Sequence, residues 1–462
     1  MKQIVVIGGG PAGYVGAIRA AQLGAGVRLI EGEAIGGTCL NVGCIPTKAL
    51  LHTAHLYREL SSGSSGVVAD NTRLDWPVVL SRKQGVVRRL VNGVESLLKA
   101  NGVQVLKGTA VLQSDRTIAV SGAAPRNLTA DAVLLAVGSE PVKLNFPGAE
   151  LPGVIDSTAA LSLTQPPRSL TIIGGGVIGV EFAALFRSFG SEVSVVEMLP
   201  EILPPVDGEI AVQVRKELAR RGVRFLTGAR LTAVAEKTGG LCAKVEVDGV
   251  CREIDSELVL VAVGRRPRTA DLGLAAAGVA AEQGKITVDA HFRTNVSGIY
   301  AVGDCNGQIM LAHAASAQAI AAVEHALGHE SSYFGATIPA CIYNDPEVAS
   351  VGLTGEQARA RGLKVKVGIF PLAGNGKALI ESGGTGMVKI ICGEKYGEIL
   401  GVHIFGPRAT DLIAEAALAI RLEATVDELI STIHAHPTVS EAMAEAALAA
   451  NGHAIHWPPP KR

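Results

Sequence analysis

Short, mostly apolar runs recur along the chain at residues 4–7, 27–30, 133–137, 171–173, 193–196, 259–263 and 299–302, and each is followed by a glycine or an acid. Runs of this length and composition read as strands buried on both faces of a parallel sheet. Between them, alanine-rich stretches at 15–23 and 310–327 read as helices. So does 82–100, where Val86, Val87, Leu90, Val91, Val94, Leu97 and Leu98 recur at helical spacing; nothing in that helix suggests chemistry. Strands alternating with helices predict an α/β fold. From about residue 335 the pattern changes. Strand-like runs at 365–370, 387–392 and 399–405 come with turns between them, then helices at 411–421 and 426–433. That reads as a separate α+β domain. Residues 61–66, a Ser/Gly repeat, read as a surface loop, and residues 456–462 as an extended, peripheral tail.

Two of the strand ends carry the same device. The first run leads into Gly8-Gly9-Gly10-Pro11-Ala12-Gly13, a helix, and a second strand ending on Glu31. Such a unit binds a dinucleotide: Gly8 permits the tight turn, Gly10 lets backbone approach a pyrophosphate, and Gly13 lets helix and strand pack closely. The free N–H groups of the helix N-terminus face the phosphates. Gly8, Gly10, Gly13 and Glu31 each recur 166 positions later, as Gly174, Gly176, Gly179 and Glu197. Two complete fingerprints imply two dinucleotides on one chain, between which electrons can pass. Glu197 is placed to bond a ribose 2′-hydroxyl and would repel a 2′-phosphate, and Met198-Leu199-Pro200 offers no arginine to receive one. NAD is therefore expected, not NADP.

Soon after the first fingerprint comes Gly36-Gly37-Thr38-Cys39-Leu40-Asn41-Val42-Gly43-Cys44-Ile45-Pro46-Thr47-Lys48. Two cysteines five apart beside a nucleotide site read as a redox-active disulfide next to a flavin. Far downstream, His434-Ala435-His436-Pro437 is followed by Glu441, which suggests a positioned base with an orienting carboxylate. The His436-Pro437 bond is a candidate for the cis form. Asp304, at the end of the last α/β strand, is either a plain cap or turn residue or a partner for a polyol chain.

Composition narrows the field. A chain of 462 residues has room for two to four domains. Hydrophobic residues at 48% and charged ones at 18% suit a folded enzyme. A net charge of −1 and 4% aromatic residues leave no basic or stacking surface for nucleic acid. No apolar run is long enough to cross a bilayer, and the first residues run straight into a strand without a signal peptide. Seven cysteines, odd in number and scattered apart from one pair, fit a reducing, cytoplasmic setting. No metal is expected.

In its order of motifs, and over essentially its whole length, the chain resembles the pyridine nucleotide–disulfide oxidoreductases. Within them it is most similar to the branch that oxidises dihydrolipoamide with NAD. The resemblance implies two Rossmann-like dinucleotide-binding domains plus a C-terminal α+β dimerisation domain. The FAD domain would span residues 1–145 and 268–334, the NAD domain 146–267 and the dimerisation domain 335–462, in a homodimer. FAD would be held by Gly8, Gly10, Pro11, Ala12, Gly13, Glu31, Thr38, Lys48, Ala110, Val137, Gly138, Ser139, Asp304, Met310, Leu311, Ala312 and His313. NAD would be held by Gly174, Gly176, Val177, Ile178, Gly179, Glu181, Glu197, Val234 and Gly264.

The same resemblance makes Lys48 and Glu181 a buried ion pair beside the flavin. It gives Cys39 to the substrate and Cys44 to the flavin. His436, oriented by Glu441, would act from the partner subunit, and a helix N-terminus with a nearby cationic histidine would lower the thiolate pKa. The lipoyl group would come from a protein of a 2-oxoacid dehydrogenase or glycine cleavage complex. Val137 and Ala314 depart from the family pattern, and bear on flavin-site tuning rather than on the reaction class. A glutathione-type reductase would need NADPH, against Glu197. A mercuric reductase would carry a C-terminal cysteine pair, whereas the last cysteine here is Cys392. A non-catalytic scaffold would have no need of Cys39, Cys44, Lys48, Glu181, His436 and Glu441 together.

Overall fold

The computed structural model describes the chain apart from residues 64, 65, 123, 124, 332, 334, 336 and 459–462, and apart from the side chain of Asp115. Parts of the expected 61–66 loop and of the tail thus lie outside the described residues. Five parallel strands form a first sheet in the order Ile299–Ala301, Ala132–Leu135, Gln3–Ile7, Gly26–Glu31, Gln104–Lys107. Val5, Leu29, Leu135 and Ala301 are fully buried, as strands covered on both faces require. A second parallel sheet has the order Val223–Thr227, Glu192–Glu197, Ser169–Ile173, Leu258–Val261, Val154–Ile155. The chain therefore leaves the first sheet after Leu135, builds the second, and returns to lay Ile299–Ala301 beside Ala132–Leu135.

The repeat extends to single hydrogen bonds. Gly8 N–H donates to Ile30 O at 2.9 Å, and Gly174 N–H to Val196 O at 2.8 Å. At Gly13 an added Cβ would lie 1.7 Å from the Gly8 carbonyl oxygen; at Gly179 it would lie 1.9 Å from that of Gly174. Only glycine lets the helix start sit so close to the turn. The helix Pro11–Gln22 begins earlier than its alanine pattern suggests, because proline suits the first turn. Its face of Ala12, Gly13, Gly16, Ala17 and Ala20 is buried. It packs on the helix Ala312–Leu327, which starts two residues later than expected because Leu311 is still extended.

Each unit also carries a three-stranded antiparallel sheet that the pattern did not announce. They are Thr109–Leu112, Thr117–Ser121, Arg126–Thr129 and Ala229–Lys237, Gly240–Val247, Val250–Ser256. The helix expected at 82–100 runs over Trp76–Ala100, capped by Asp75, whose carboxylate accepts the Val78 N–H at 3.2 Å. Its apolar stripe is only partly buried: Val94 and Leu98 pack inward while Leu97 stays 53% exposed.

The C-terminal region is a five-stranded antiparallel sheet, in the order Ala340–Ile342, Glu347–Gly352, Ile399–Gly406, Met387–Gly393, Val365–Pro371. The first two strands were not expected; Asn344-Asp345-Pro346 splits them into pieces too short to show a period. The helices Ala409–Arg421 and Glu441–Ala450 pack Ile413, Ala416, Met443 and Ala446 against Phe370, Val388 and Ile404 of this sheet. The helix expected at 426–433 stops at Ser431, and Ile433 is 97% exposed. Among the described residues no helix is long and apolar enough to cross a membrane.

The close contact at Gly179 generates a paired prediction. Gly179→Ala should cost about 2 kcal/mol or more, because a backbone oxygen must move. Gly176→Ala, where an added Cβ meets nothing within 4 Å, should stay within about 0.5 kcal/mol of the parent. Chemical denaturation of the two variants measures the contrast.

Candidate active site

Gly36 and Gly37 hold positive φ values of 94° and 55°, a turn that a side chain would strain. They launch the short helix Gly37–Val42, which carries Cys39. Gly43 interrupts, and the helix Cys44–Ser62 begins with Cys44 at its first position. Asn41 Nδ2 donates to the carbonyls of Ile35 and Gly37 at 3.0 and 2.9 Å, and Thr47 Oγ1 to that of Gly43 at 2.6 Å. These bonds fix the turn between the two helices. Both cysteines are free thiols and line one cleft, Cys44 more openly than Cys39.

Each cysteine acts on the acidity of the other. Cys44 is lowered to about 7, by Cys39 first and by Lys48, against the opposing effect of burial. Cys39 is pushed far up, by Cys44 first and by burial. Of the two, Cys44 is the one favoured as thiolate. A helix start and a nearby cation favour that anion, but within this chain the cation is Lys48, not a histidine.

Lys48 lies one turn beyond Cys44 on the same helix. Its Nζ meets Glu181 Oε2 at 2.8 Å, and the Glu181 side chain is only 4% exposed. Glu181 comes from the helix Val177–Ser188, the helix of the second fingerprint. Its other oxygen accepts the backbone N–H of Tyr343 at 3.0 Å, and the Lys48 ammonium stands 4.7 Å over the Tyr343 ring. Three separate parts of the chain meet at this point.

The cleft has a volume of about 1990 Å³. Small-ligand pockets run to roughly 1,000 Å³, so the space suits two large ligands. Both fingerprint helices open onto it with a bare N-terminus: neither Gly10 nor Gly176 offers a side-chain cap, and neither first turn holds an acid. Those free N–H groups fit the pyrophosphates of FAD and NAD. Glu31 and Glu197 also line the cleft, in matching roles. Their Oε2 atoms accept from Gly9 and Gly175 at 2.6 Å, and their Oε1 atoms from Glu33 and Leu199 at 2.7 Å. The carboxylates are thus pinned by the turns, with lone pairs left over for ribose hydroxyls. Asp304 lies inside a short turn, Gly303–Asn306, rather than at its cap. Its Oδ2 accepts from Ser139 Oγ at 2.5 Å, and it faces the cleft.

Of the remaining residues expected at the cofactors, Gly8, Pro11, Ala12, Thr38, Ala110, Val137, Gly138, Met310, Leu311, Ala312 and His313 line the cleft, as do Gly174, Val177, Ile178 and Gly264. Gly13 and Gly179 sit beneath it, under the turns. Val234 does not line the cleft; it packs in a core cluster with Ala229, Leu241 and Ala243, and its N–H is taken by Pro147 O at 2.8 Å. His436 and Glu441 do not line the cleft of their own chain. They form a separate pair, with His436 Nδ1 2.9 Å from Glu441 Oε1 and the imidazole 79% exposed. Glu441 Oε2 accepts the Thr438 N–H at 2.9 Å. Burial pushes the Glu441 carboxyl up, but that N–H and His436 outweigh it and hold it below its ordinary value. The His436-Pro437 peptide is cis.

Residues 2–319 match the family model described as pyridine nucleotide-disulphide oxidoreductase, and residues 338–447 match that family's dimerisation domain. The chain belongs to the pyridine nucleotide-disulphide oxidoreductases. It is 43% identical to the dihydrolipoyl dehydrogenase of Thermus scotoductus over 458 residues, covering 98% of each chain. The dihydrolipoyl dehydrogenase of Geobacillus stearothermophilus is 41% identical, over 98% of this chain and 97% of that one. Among solved structures, LpdA from Mycobacterium tuberculosis superposes with a TM-score of 0.90 at 29% identity, covering 97% of this chain and 99% of that one. RclA from Escherichia coli, described as an HOCl-induced flavoprotein disulfide reductase, gives 0.85 at 29%, covering 96% and 98%.

Two residues at this oxidoreductase's site carry no signal in the local sequence. Arg265 Nε donates to Ser139 Oγ at 2.8 Å and its Nη2 to Ser139 O at 2.7 Å, so it braces the side chain that meets Asp304. Tyr343 touches both members of the Lys48–Glu181 pair. Both belong to the site through contacts more than a hundred residues apart, and only the fold brings them there.

The charge arrangement sets a pH dependence. Thiolate on Cys44 is lost as pH falls through about 7. Lys48→Met removes a cation that favours the anion, so the midpoint should rise toward the ordinary thiol value; Lys48→Arg should rise less. Alkylation rates of reduced protein against pH, with modified Cys44 counted by peptide mass spectrometry, measure the shift.

Proposed function

We propose that this chain oxidises protein-bound dihydrolipoamide to lipoamide with NAD as acceptor, as a homodimer in the cytoplasm. Its partner would be the lipoyl-bearing protein of a 2-oxoacid dehydrogenase or glycine cleavage complex. The observation that carries this reading is the cysteine pair itself: two thiols on successive helices, in a cleft that joins both fingerprint turns. The full-length relatives named dihydrolipoyl dehydrogenase support the choice of substrate. Glu197, with no arginine in Met198-Leu199-Pro200, supports NAD.

The residues divide the work as follows. His436 of one protomer serves its partner's cleft, since it does not line its own. Glu441 on Nδ1 leaves Nε2 free to take a proton from a substrate thiol. The resulting thiolate attacks Cys39 in the Cys39–Cys44 disulfide; the bond to Cys44 breaks and Cys44 leaves as thiolate. The second substrate thiol then attacks the mixed disulfide, closing lipoamide. Cys39 leaves with the proton that His436 held, and His436 takes the proton of the second substrate thiol in its place, so the reduced pair ends as a Cys39 thiol and a Cys44 thiolate beside a protonated imidazole. Substrate has lost two electrons and two protons, and the cysteine pair has gained the electrons. FAD, when bound, supplies two-electron transfer between this pair and NAD. Gly8 to Ala12, Glu31 and Asp304 would hold it, and Gly174 to Ile178 with Glu197 would hold NAD. Lys48 favours the thiolate form of Cys44.

This division of labour separates two half-reactions. His436→Gln should lower kcat for dihydrolipoamide by about a hundredfold or more, the usual scale for a general base. Oxidation of NADH by an artificial acceptor should fall far less. Cys44→Ser should abolish dihydrolipoamide turnover. Equal losses of both activities in His436→Gln would defeat the assignment.

A further inference from the structure

Tyr343 contacts the Lys48–Glu181 pair through two different groups. Its backbone N–H fixes one Glu181 oxygen at 3.0 Å, and its ring lies under the Lys48 ammonium at 4.7 Å. An ammonium over an aromatic face is held by the ring's quadrupole. A lysine has four rotatable bonds, and a single salt bridge leaves it free to pivot about the carboxylate. The ring removes that freedom by giving the ammonium a second, non-ionic seat. The segment that carries Tyr343 is itself fixed: Ala340–Ile342 pairs with Glu347–Gly352. Just past the tyrosine, Asp345 takes Arg58 of the cysteine helix and Arg221 of the NAD unit as ion partners.

We propose that Tyr343 is a positioning residue for the redox pair: by seating Lys48 between its ring and Glu181, it holds the lysine charge one helical turn from Cys44. This rests on the redox reading of Cys39 and Cys44 given above. The charged and titratable groups around the Cys44 thiolate are Cys39 and Lys48 from the cysteine helices, Glu181 from the NAD unit, Arg265, and Tyr343 just past the strand Ala340–Ile342. Cys341 acts on Lys48 and Tyr343, Glu347 acts on both Cys341 and Tyr343, and Asp411 acts on Cys341. Among these groups Lys48 is the cation four residues from Cys44 on one helix, and the ring of Tyr343 acts on it directly. The tyrosine hydroxyl plays no part in this account, which requires the ring face alone.

The test titrates the thiolate without substrate. In purified flavin-bound protein carrying Cys39→Ser, the long-wavelength absorbance of Cys44 thiolate beside the flavin is followed against pH. Tyr343→Phe keeps the ring and should leave the midpoint of that titration in place. Tyr343→Leu removes the ring and should raise it by about half a pH unit, the scale of a cation–π contact at a partly open site. Should Tyr343→Leu fail to retain flavin, Tyr343→Met provides the ring-free comparison. Superimposable titrations for the ring-free and parent proteins would overturn the proposal, as would an equal shift in Tyr343→Phe. Absence of any thiolate band in the Cys39→Ser parent would instead overturn the underlying redox reading.

Discussion

A single buried carboxylate holds the active site together. Glu181 sits on the helix of the second fingerprint, accepts Lys48 from the cysteine helix, and accepts the Tyr343 N–H from the C-terminal sheet. Taking such a charge out of water is expensive, and a buried ion pair is weak evidence for stability. Breaking it from one side is another matter: an uncompensated buried charge costs about 3–5 kcal/mol. The value of the pair is thus positional. It converts misplacement of any one of three units into a desolvated charge. The Arg58, Arg221 and Asp345 contacts repeat the same three-way tie on a more exposed level.

The two fingerprint units use one set of bonds twice. In each, the first turn glycine binds the carbonyl at the end of the neighbouring strand, and the acid's two oxygens close the turn through backbone N–H groups. An acid at that position closes the loop and keeps lone pairs to spare. Under the proposed cofactor assignment those would meet a ribose, and nucleotide affinity and loop order would then not be separable at Glu31 or Glu197. Gly176 is different. An added Cβ there would meet nothing within 4 Å, so under the proposed NAD assignment it is a position at which binding and folding would come apart.

The local devices were readable in the sequence because each is complete within about thirty residues. The strand, glycine turn, helix and acid of the first unit lie between Gln3 and Glu31, and the cysteine pair follows at once. What could not be read was set by distance. Tyr343 and Arg265 look like ordinary sheet residues until the fold places them against Lys48 and Ser139. The antiparallel strands after each first pair were missed because exposed faces, as in Val250–Ser256, blur their alternation. Lys83 is a comparable surprise, a buried lysine in a surface helix that donates to Leu161 O at 2.5 Å.

The position of His436 follows from the fold as strictly as that of the cysteines. Helix Glu441–Ala450 is fastened to the C-terminal sheet by Met443, Ala446 and Ala447. That fixes Glu441, and Glu441 in turn holds His436 through Nδ1 and the Thr438 turn through its N–H. The tail is fastened to the same helix, since Glu445 accepts the N–H groups of Ile455 and His456 and pairs with the His456 ring. So the imidazole is rigidly mounted, yet it does not line its own cleft and lies in solvent. A base in open water gains little from a neighbouring carboxylate, because the field is screened. The same pair enclosed beside a disulfide would keep most of that field. A rigid, exposed imidazole–carboxylate pair on a domain of dimerisation type would gain that field once a second copy of the chain closed over it, which is the arrangement the proposed division of labour uses.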